Sequence, residues 1–291
     1  MTTAERIIDA VRKGFDTLLY FAVMAWKEDF RDEVKRAGTV GERRPTMAVL
    51  GNGPSLKGEL EELLCAPAAR DFMAVNFFAE DERFMVLRPA YYVLSDPMFF
   101  RLTSLRGRIE QFYRTLNERV TWPMNLYVQY YNPEHFDYRA HLTNPLIRIV
   151  RFHTITYYGF RAVRHWLFNH GLGSGNFGTV VQVGELIALQ LGYRRVELYG
   201  VDHTLLEGLT VDGENRLCRA DRHFYDDDTT PHLKPMMQKV PEVPYTMAVY
   251  LQEVADLFRG HELLRDYADS LGAEIVNCTR SSMIDAYRRR G

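Results

Sequence analysis

Residues 47–57 read Met-Ala-Val-Leu-Gly-Asn-Gly-Pro-Ser-Leu-Lys. The four apolar residues end at Gly51, and after Pro54 and Ser55 a helically spaced pattern begins at Leu56. A short apolar strand, a glycine turn and a helix in that order mark the ligand edge of the first βα unit in an α/β sheet. Gly51 and Gly53 allow the backbone to approach a ligand, and the helix that follows Ser55 offers free N–H groups suited to a phosphate. Asn52 adds a side-chain amide that both donates and accepts. The stretch lacks the Gly-Lys-Ser/Thr ending of a P-loop, and Leu56 stands where the dinucleotide fingerprint has its third glycine. A strand-to-helix turn without a ligand is the plain alternative.

From this stretch onward, strand and helix patterns alternate. Strands are expected over 47–50, 72–75, 91–94, 125–130, 147–151, 196–199 and 274–277, and helices over 56–64, 99–116, 159–170, 179–191 and 245–267. The alternation predicts an α/β fold with a mostly parallel, Rossmann-like sheet that binds ligands at its strand carboxyl ends. Residues 1–44 form a helical extension ahead of a domain over 45–291. Residues 204–243, charged and proline-bearing with little periodicity, read as a lid over the site.

With 291 residues, 46% of them hydrophobic and 25% charged, the chain has the composition of a folded globular protein rather than a disordered one. A net charge of -2 gives no field for nucleic acid, so no such partner is expected. Cys65, Cys218 and Cys278 are far apart and odd in number, which points to free thiols, a reducing compartment and no metal centre. The polar start argues against a signal peptide, and no apolar run reaches the length of a membrane span, so a cytoplasmic location is expected. Within residues 4–37, Ile7, Ile8, Val11, Phe15, Leu18 and Leu19 recur at helical spacing, and 18–26 are apolar around most of the helix. Packing on the domain, contact in a homo-oligomer, or peripheral contact with the inner face of a membrane each accounts for this pattern.

Polar residues stand where several strands end: Asn76 after 73–75, Asp96 after 92–94, and Asp202 after Gly200. Each is a ligand group or an ordinary loop cap. Ser174, Asn176 and Thr179, in the glycine-rich approach to a helix, suit a phosphate or ribose, or simply a helix start. His223 and His232 lie in the lid stretch, where an imidazole suits general-base work on a hydroxyl. Asp226, Asp227 and Asp228 read as a solvated run rather than a metal site.

The GNGPSLK stretch, Asn76, DPMFF at 96–100, LGYRRVELYGVD at 191–202 and NCTRSSMI at 277–284 together resemble the bacterial sialyltransferases of glycosyltransferase family 42. They also resemble the broader MptE-like group of motility accessory factors and hydroxymethylpterin pyrophosphokinases. The matching stretches run from about 47 to 287. The resemblance implies a nucleotide-binding domain of a GT-A-like variant. In it a CMP-activated nonulosonic sugar passes with inversion to a hydroxyl of a glycan or glycolipid acceptor, without a cofactor or metal. It implies that Asn52 and Asn76 face the donor, that Gly200 and Asp202 meet the nucleotide, and that His223 or His232 is the base. Asp96 departs from the family's asparagine, and Thr204 stands where a phosphate-binding tyrosine is expected, leaving Tyr225 as its candidate substitute. A pyrophosphokinase using ATP and magnesium, with the acidic run 226–228 at the phosphates, is the alternative. A non-catalytic nucleotide or glycan sensor is a third reading.

Overall fold

The computed structural model describes residues 2–101, 105–132, 135–221, 232–238 and 243–290, with backbone alone at 220, 221 and 232. The chain opens with α1 (Thr3–Lys27) and α2 (Glu33–Ala37), followed by β1 (Thr46–Leu50), α3 (Leu56–Cys65), β2 (Arg70–Val75), α4 (Phe84–Leu87) and β3 (Tyr91–Leu94). Then come α5 (Arg106–Arg119), β4 (Met124–Gln129), α6 (Tyr138–His141), β5 (Ile147–Phe152), α7 (Arg161–Asn169), α8 (Val180–Gln190) and β6 (Arg195–Tyr199). The last elements are β7 (Leu209–Val211), β8 (Leu217–Asp221), β9 (His232–Pro235), α9 (Met247–Ser270), β10 (Glu274–Asn277) and β11 (Arg288–Arg289).

The main sheet has eight strands in the order β11-β10-β6-β1-β2-β3-β4-β5, and every pairing in it is parallel. It contains all the strands expected from the sequence, and adds the short edge strand β11. β1 is fully buried because both of its faces are covered. Met47 and Val49 point into one core with α8 and α9, and Ala48 and Leu50 into a second with α3 and α5. A strand buried on both sides reads as a continuous apolar run, which is why 47–50 stands out in the sequence. α8 is buried along 181–190, sandwiched between the sheet and α9.

The chain leaves β1 toward β2 on one side and returns to pair β6 with β1 on the other, in register from Thr46↔Arg195 to Leu50↔Tyr199. The crossovers from these neighbouring strands therefore diverge, and a crevice opens outside their carboxyl ends.

Three expectations change. Residues 204–243 are not irregular throughout: β7, β8 and β9 form a small antiparallel sheet, with Leu217 packed against Tyr250 and Val254 of α9. The helix expected from 99 begins only at Arg106, because Asp96 caps a tight 3₁₀ turn over Pro97–Phe99 by accepting from the Met98 N–H at 3.0 Å. The apolar stripe of α1 packs on its own domain only at its C-terminal end, against Tyr157, Leu167 and Leu172. Tyr20 and Met24 are buried, whereas Ile8, Val11, Phe15 and Leu18 are 65–73% exposed. The segment after α1 is tied down by a buried pair, Glu28 with His153 Nδ1 at 2.5 Å, and Val34 of α2 enters the main core.

Candidate functional site

The crevice is built by two loops that touch. Gly51 N–H donates to Tyr199 O, and Gly53 N–H to Gly200 O, both at 2.8 Å. A Cβ on Gly51 would lie 2.3 Å from Gly200 O, and one on Gly53 would lie 1.9 Å from Asp202 Oδ2 and 2.7 Å from Gly200 O. The room these glycines leave is taken by the loop after β6. Gly200 itself has φ +64°, a conformation that favours glycine.

Asp202 is 5% exposed and accepts from Ser55 Oγ at 2.9 Å and, more loosely, from Ser55 N–H at 3.4 Å. Its carboxylate therefore sits at the start of α3, where the helix dipole favours negative charge and where the sequence suggested a phosphate. Buried Glu59, one turn along α3, accepts from Gly200 N–H at 2.7 Å and from Arg280 N–H at 2.8 Å. The 277–284 segment completes the cradle. Thr279 Oγ1 accepts from Val201 N–H, Ser282 Oγ donates to Val201 O, and Met283 N–H donates to Asp202 O, at 2.7–3.0 Å. Residues 200–202 are thus held from both sides.

Asn52 and Asn76 meet on the β2 side. Exposed Asn52 donates its amide to Val75 O at 3.3 Å, immediately before Asn76. Asn76 takes a left-handed φ of 50°, and its carbonyl accepts from the Tyr92 hydroxyl at 2.6 Å. Its side-chain Oδ1 is buried with no hydrogen-bond partner. An orphaned buried oxygen costs about 1–3 kcal/mol, so both strain and desolvation are concentrated at this strand end.

The other expected residues divide. Ser174 is buried, bridges to the 155–157 segment and donates to Gly175 O, while Thr179 caps α8 through Val181 N–H. Asn176 is exposed on an open groove of about 460 Å³ that it lines with Leu205, Tyr250, Val254 and Leu257. Asp96 is a cap, as described above. His223, Tyr225 and the acidic run 226–228 lie outside the described residues, as does the side chain of His232. Among the described residues, no group of three or more His, Cys, Asp or Glu could hold a metal ion.

Four residues that sequence reasoning did not select form a line at the same edge. His203 follows Asp202, with φ 51°. Its Nε2 lies 3.0 Å from Nε2 of His261 on α9. His261 Nδ1 lies 3.1 Å from the Tyr287 hydroxyl and 3.3 Å from Glu185 Oε1 on α8, and Tyr287 donates to the other Glu185 oxygen. Burial, reinforced by His261, depresses the His203 pKa to about 3. Burial and the Glu185 charge push the Tyr287 hydroxyl well above its ordinary value. His203 adjoins a strand-end aspartate, and that was its one sequence signal.

No protein-family model and no curated protein matches the sequence. Among solved structures, the chain is similar to the MAf glycosyltransferase from Magnetospirillum magneticum AMB-1, with a TM-score of 0.45 and 15% identity. The similarity covers 87% of this chain but only 35% of that one.

Proposed function

We propose that the chain is a glycosyltransferase that binds a nucleotide-activated sugar across the β1/β6 crevice. The observation that carries this reading is Asn76. Its strained backbone and unpartnered buried oxygen sit beside Asn52 at a topological switch point, the position where open α/β sheets take their ligands. A donor hydroxyl or amine would satisfy that oxygen. Asp202 already places a carboxylate at the α3 terminus, which disfavours a polyphosphate there and favours a hydroxyl-rich group. Following the sequence resemblance, the donor is a CMP-activated nonulosonic sugar, the acceptor a glycan or glycolipid hydroxyl, and the outcome inversion without a metal. The exposed stripe of α1 brings the enzyme to a membrane surface or to a second copy. No helix among the described residues is long and apolar enough to cross a membrane.

Calorimetric titration with CMP, CDP, UDP, GDP and ATP, with and without magnesium, tests the reading. Selective CMP binding that ignores the metal is expected, and magnesium-dependent ATP binding would replace the transferase with a pyrophosphokinase. Asn76→Leu should weaken nucleotide-sugar binding roughly tenfold, the cost of about one hydrogen bond. Unchanged affinity would remove Asn76 from the site.

A further inference from the structure

Glu185, Tyr287, His261 and His203 make one hydrogen-bonded line from the α8–α9 interface to the loop that follows β6. Glu185 and His261 are fully buried, Tyr287 is 6% exposed, and His203 is partly open. The hydrogen positions follow from the partners. Tyr287 gives its hydrogen to Glu185, so the tyrosine oxygen is left to accept from His261 Nδ1, which therefore carries a hydrogen, while Glu185 Oε1 lies 3.3 Å from that nitrogen as a charge without a hydrogen bond of its own. The 3.0 Å contact between the two Nε2 atoms needs one further hydrogen. With His261 neutral, that hydrogen belongs to His203, and His203 Nδ1 keeps a free lone pair with no partner among the described residues.

We infer that His203 is the general base of the transferase proposed above, and that His261 and Glu185 are positioning residues that take up the positive charge His203 acquires. The inference rests on that reading of the function. In the step, the acceptor hydroxyl transfers its proton to His203 Nδ1 as its oxygen bonds to the anomeric carbon. The bond from that carbon to the nucleotide phosphate breaks, and its electron pair leaves with the phosphate. His203 passes its Nε2 hydrogen to His261 Nε2. The cation then rests on His261, beside the Glu185 carboxylate, rather than on a ring that burial keeps neutral.

This arrangement divides the labour as a nucleophile–histidine–carboxylate triad does, with a second imidazole interposed. Few other charges face the pair. Asp202 is turned toward Ser55, Arg265 lies beside Tyr287 and donates to Ala286 O, Arg219 is held by Leu205 O and the Tyr250 hydroxyl, and Phe258 presents an edge to His203.

The test compares wild type with His203→Gln, His261→Gln, Glu185→Gln and the lid variants His223→Gln and His232→Gln. CMP affinity serves as the measure of folding, and turnover is followed against pH. His203→Gln should lose roughly 10²–10⁴-fold in kcat, the range typical of a general base, while CMP affinity stays within threefold. Glu185→Gln should move the acidic limb of the kcat profile to lower pH, because the His261 cation loses its carboxylate. A merely structural role for Glu185 would lower kcat without moving the limb. In ¹⁵N-imidazole spectra of the wild type, the two rings should take up one proton as a unit, with His261 becoming cationic.

Independent titration of the rings would overturn the relay. Retained turnover in His203→Gln, with loss in either lid variant, would overturn the base assignment and leave the transferase standing. A wild type that transfers no sugar from any donor would bring down both.

Discussion

Gly53 is the position where the loop-on-loop construction of the crevice can be tested most sharply. In Gly53→Ala the added Cβ would stand 1.9 Å from Asp202 Oδ2 and 2.7 Å from Gly200 O. The Asp202 side chain can rotate away, but only by giving up Ser55 Oγ at 2.9 Å and Ser55 N–H at 3.4 Å. Losing such charge-assisted bonds costs about 1.5–3 kcal/mol. Gly200 O is backbone in a loop fixed by Glu59, Thr279 and Ser282, so it cannot swing clear, and crowding of this kind adds about 1–3 kcal/mol. The sum is about 2.5–6 kcal/mol, or on the order of a 10 °C fall in Tm for a chain of this size. Thermal and urea denaturation of Gly53→Ala against wild type read it directly. A variant within about 0.5 kcal/mol of wild type, but with weakened nucleotide binding, would refute the reasoning. It would mean that Gly53 leaves room for a ligand rather than for residues 200–202.

Glu59→Gln keeps the shape but leaves one acceptor where Glu59 offers two, to Gly200 and Arg280 N–H groups; a loss of about 1–3 kcal/mol in urea unfolding is expected. Burial alone would lower the His153 pKa, but the Glu28 carboxylate outweighs it through hydrogen bond and charge, and the folded value is raised. Its stabilising effect is therefore complete below the ordinary histidine pKa of about 6.5 and is lost as pH rises through the raised folded value. Unfolding free energies measured at about pH 5.5 and 8.5 should show this fall in wild type, and His153→Gln should flatten it. Replacing Ile8, Val11 and Phe15 together with serine should leave stability within about 1 kcal/mol, since these side chains are exposed. The same variant should lose liposome binding or self-association, and a large fall in Tm would show that the stripe belongs to the folding core.

The sheet was legible because parallel strands buried on both faces leave unbroken apolar runs, as at 47–50 and 91–94, and because glycine and asparagine punctuate their ends. Asn52 and Asn76 could be picked out as polar groups at such ends. Their pairing through Val75 O follows once two adjacent strands share an edge. The role of Asp202 was not legible. A carboxylate at a strand end reads as a ligand group, and its partner Ser55 is 147 positions away. The relay was hidden for the same reason. Tyr287 and Glu185 are 102 positions apart and His203 and His261 are 58, and a lone histidine within a long helix resembles any other. The β7–β9 sheet was missed because its strands are short, and packing on α9 sustains them more than their own periodicity.

The cradle around residues 200–202 also sets a schedule. β1 to β5 join neighbours separated only by βα connections, so that half of the sheet can form as synthesis proceeds. The wall of the crevice beside β1 must wait for β6. The loop that finishes it is fastened by Thr279, Ser282 and Met283, which follow β6 and α9 in the chain. A nascent chain therefore carries the β1–β5 half of its scaffold before the candidate site can close, because the cradle waits for β6 and for residues 277–284.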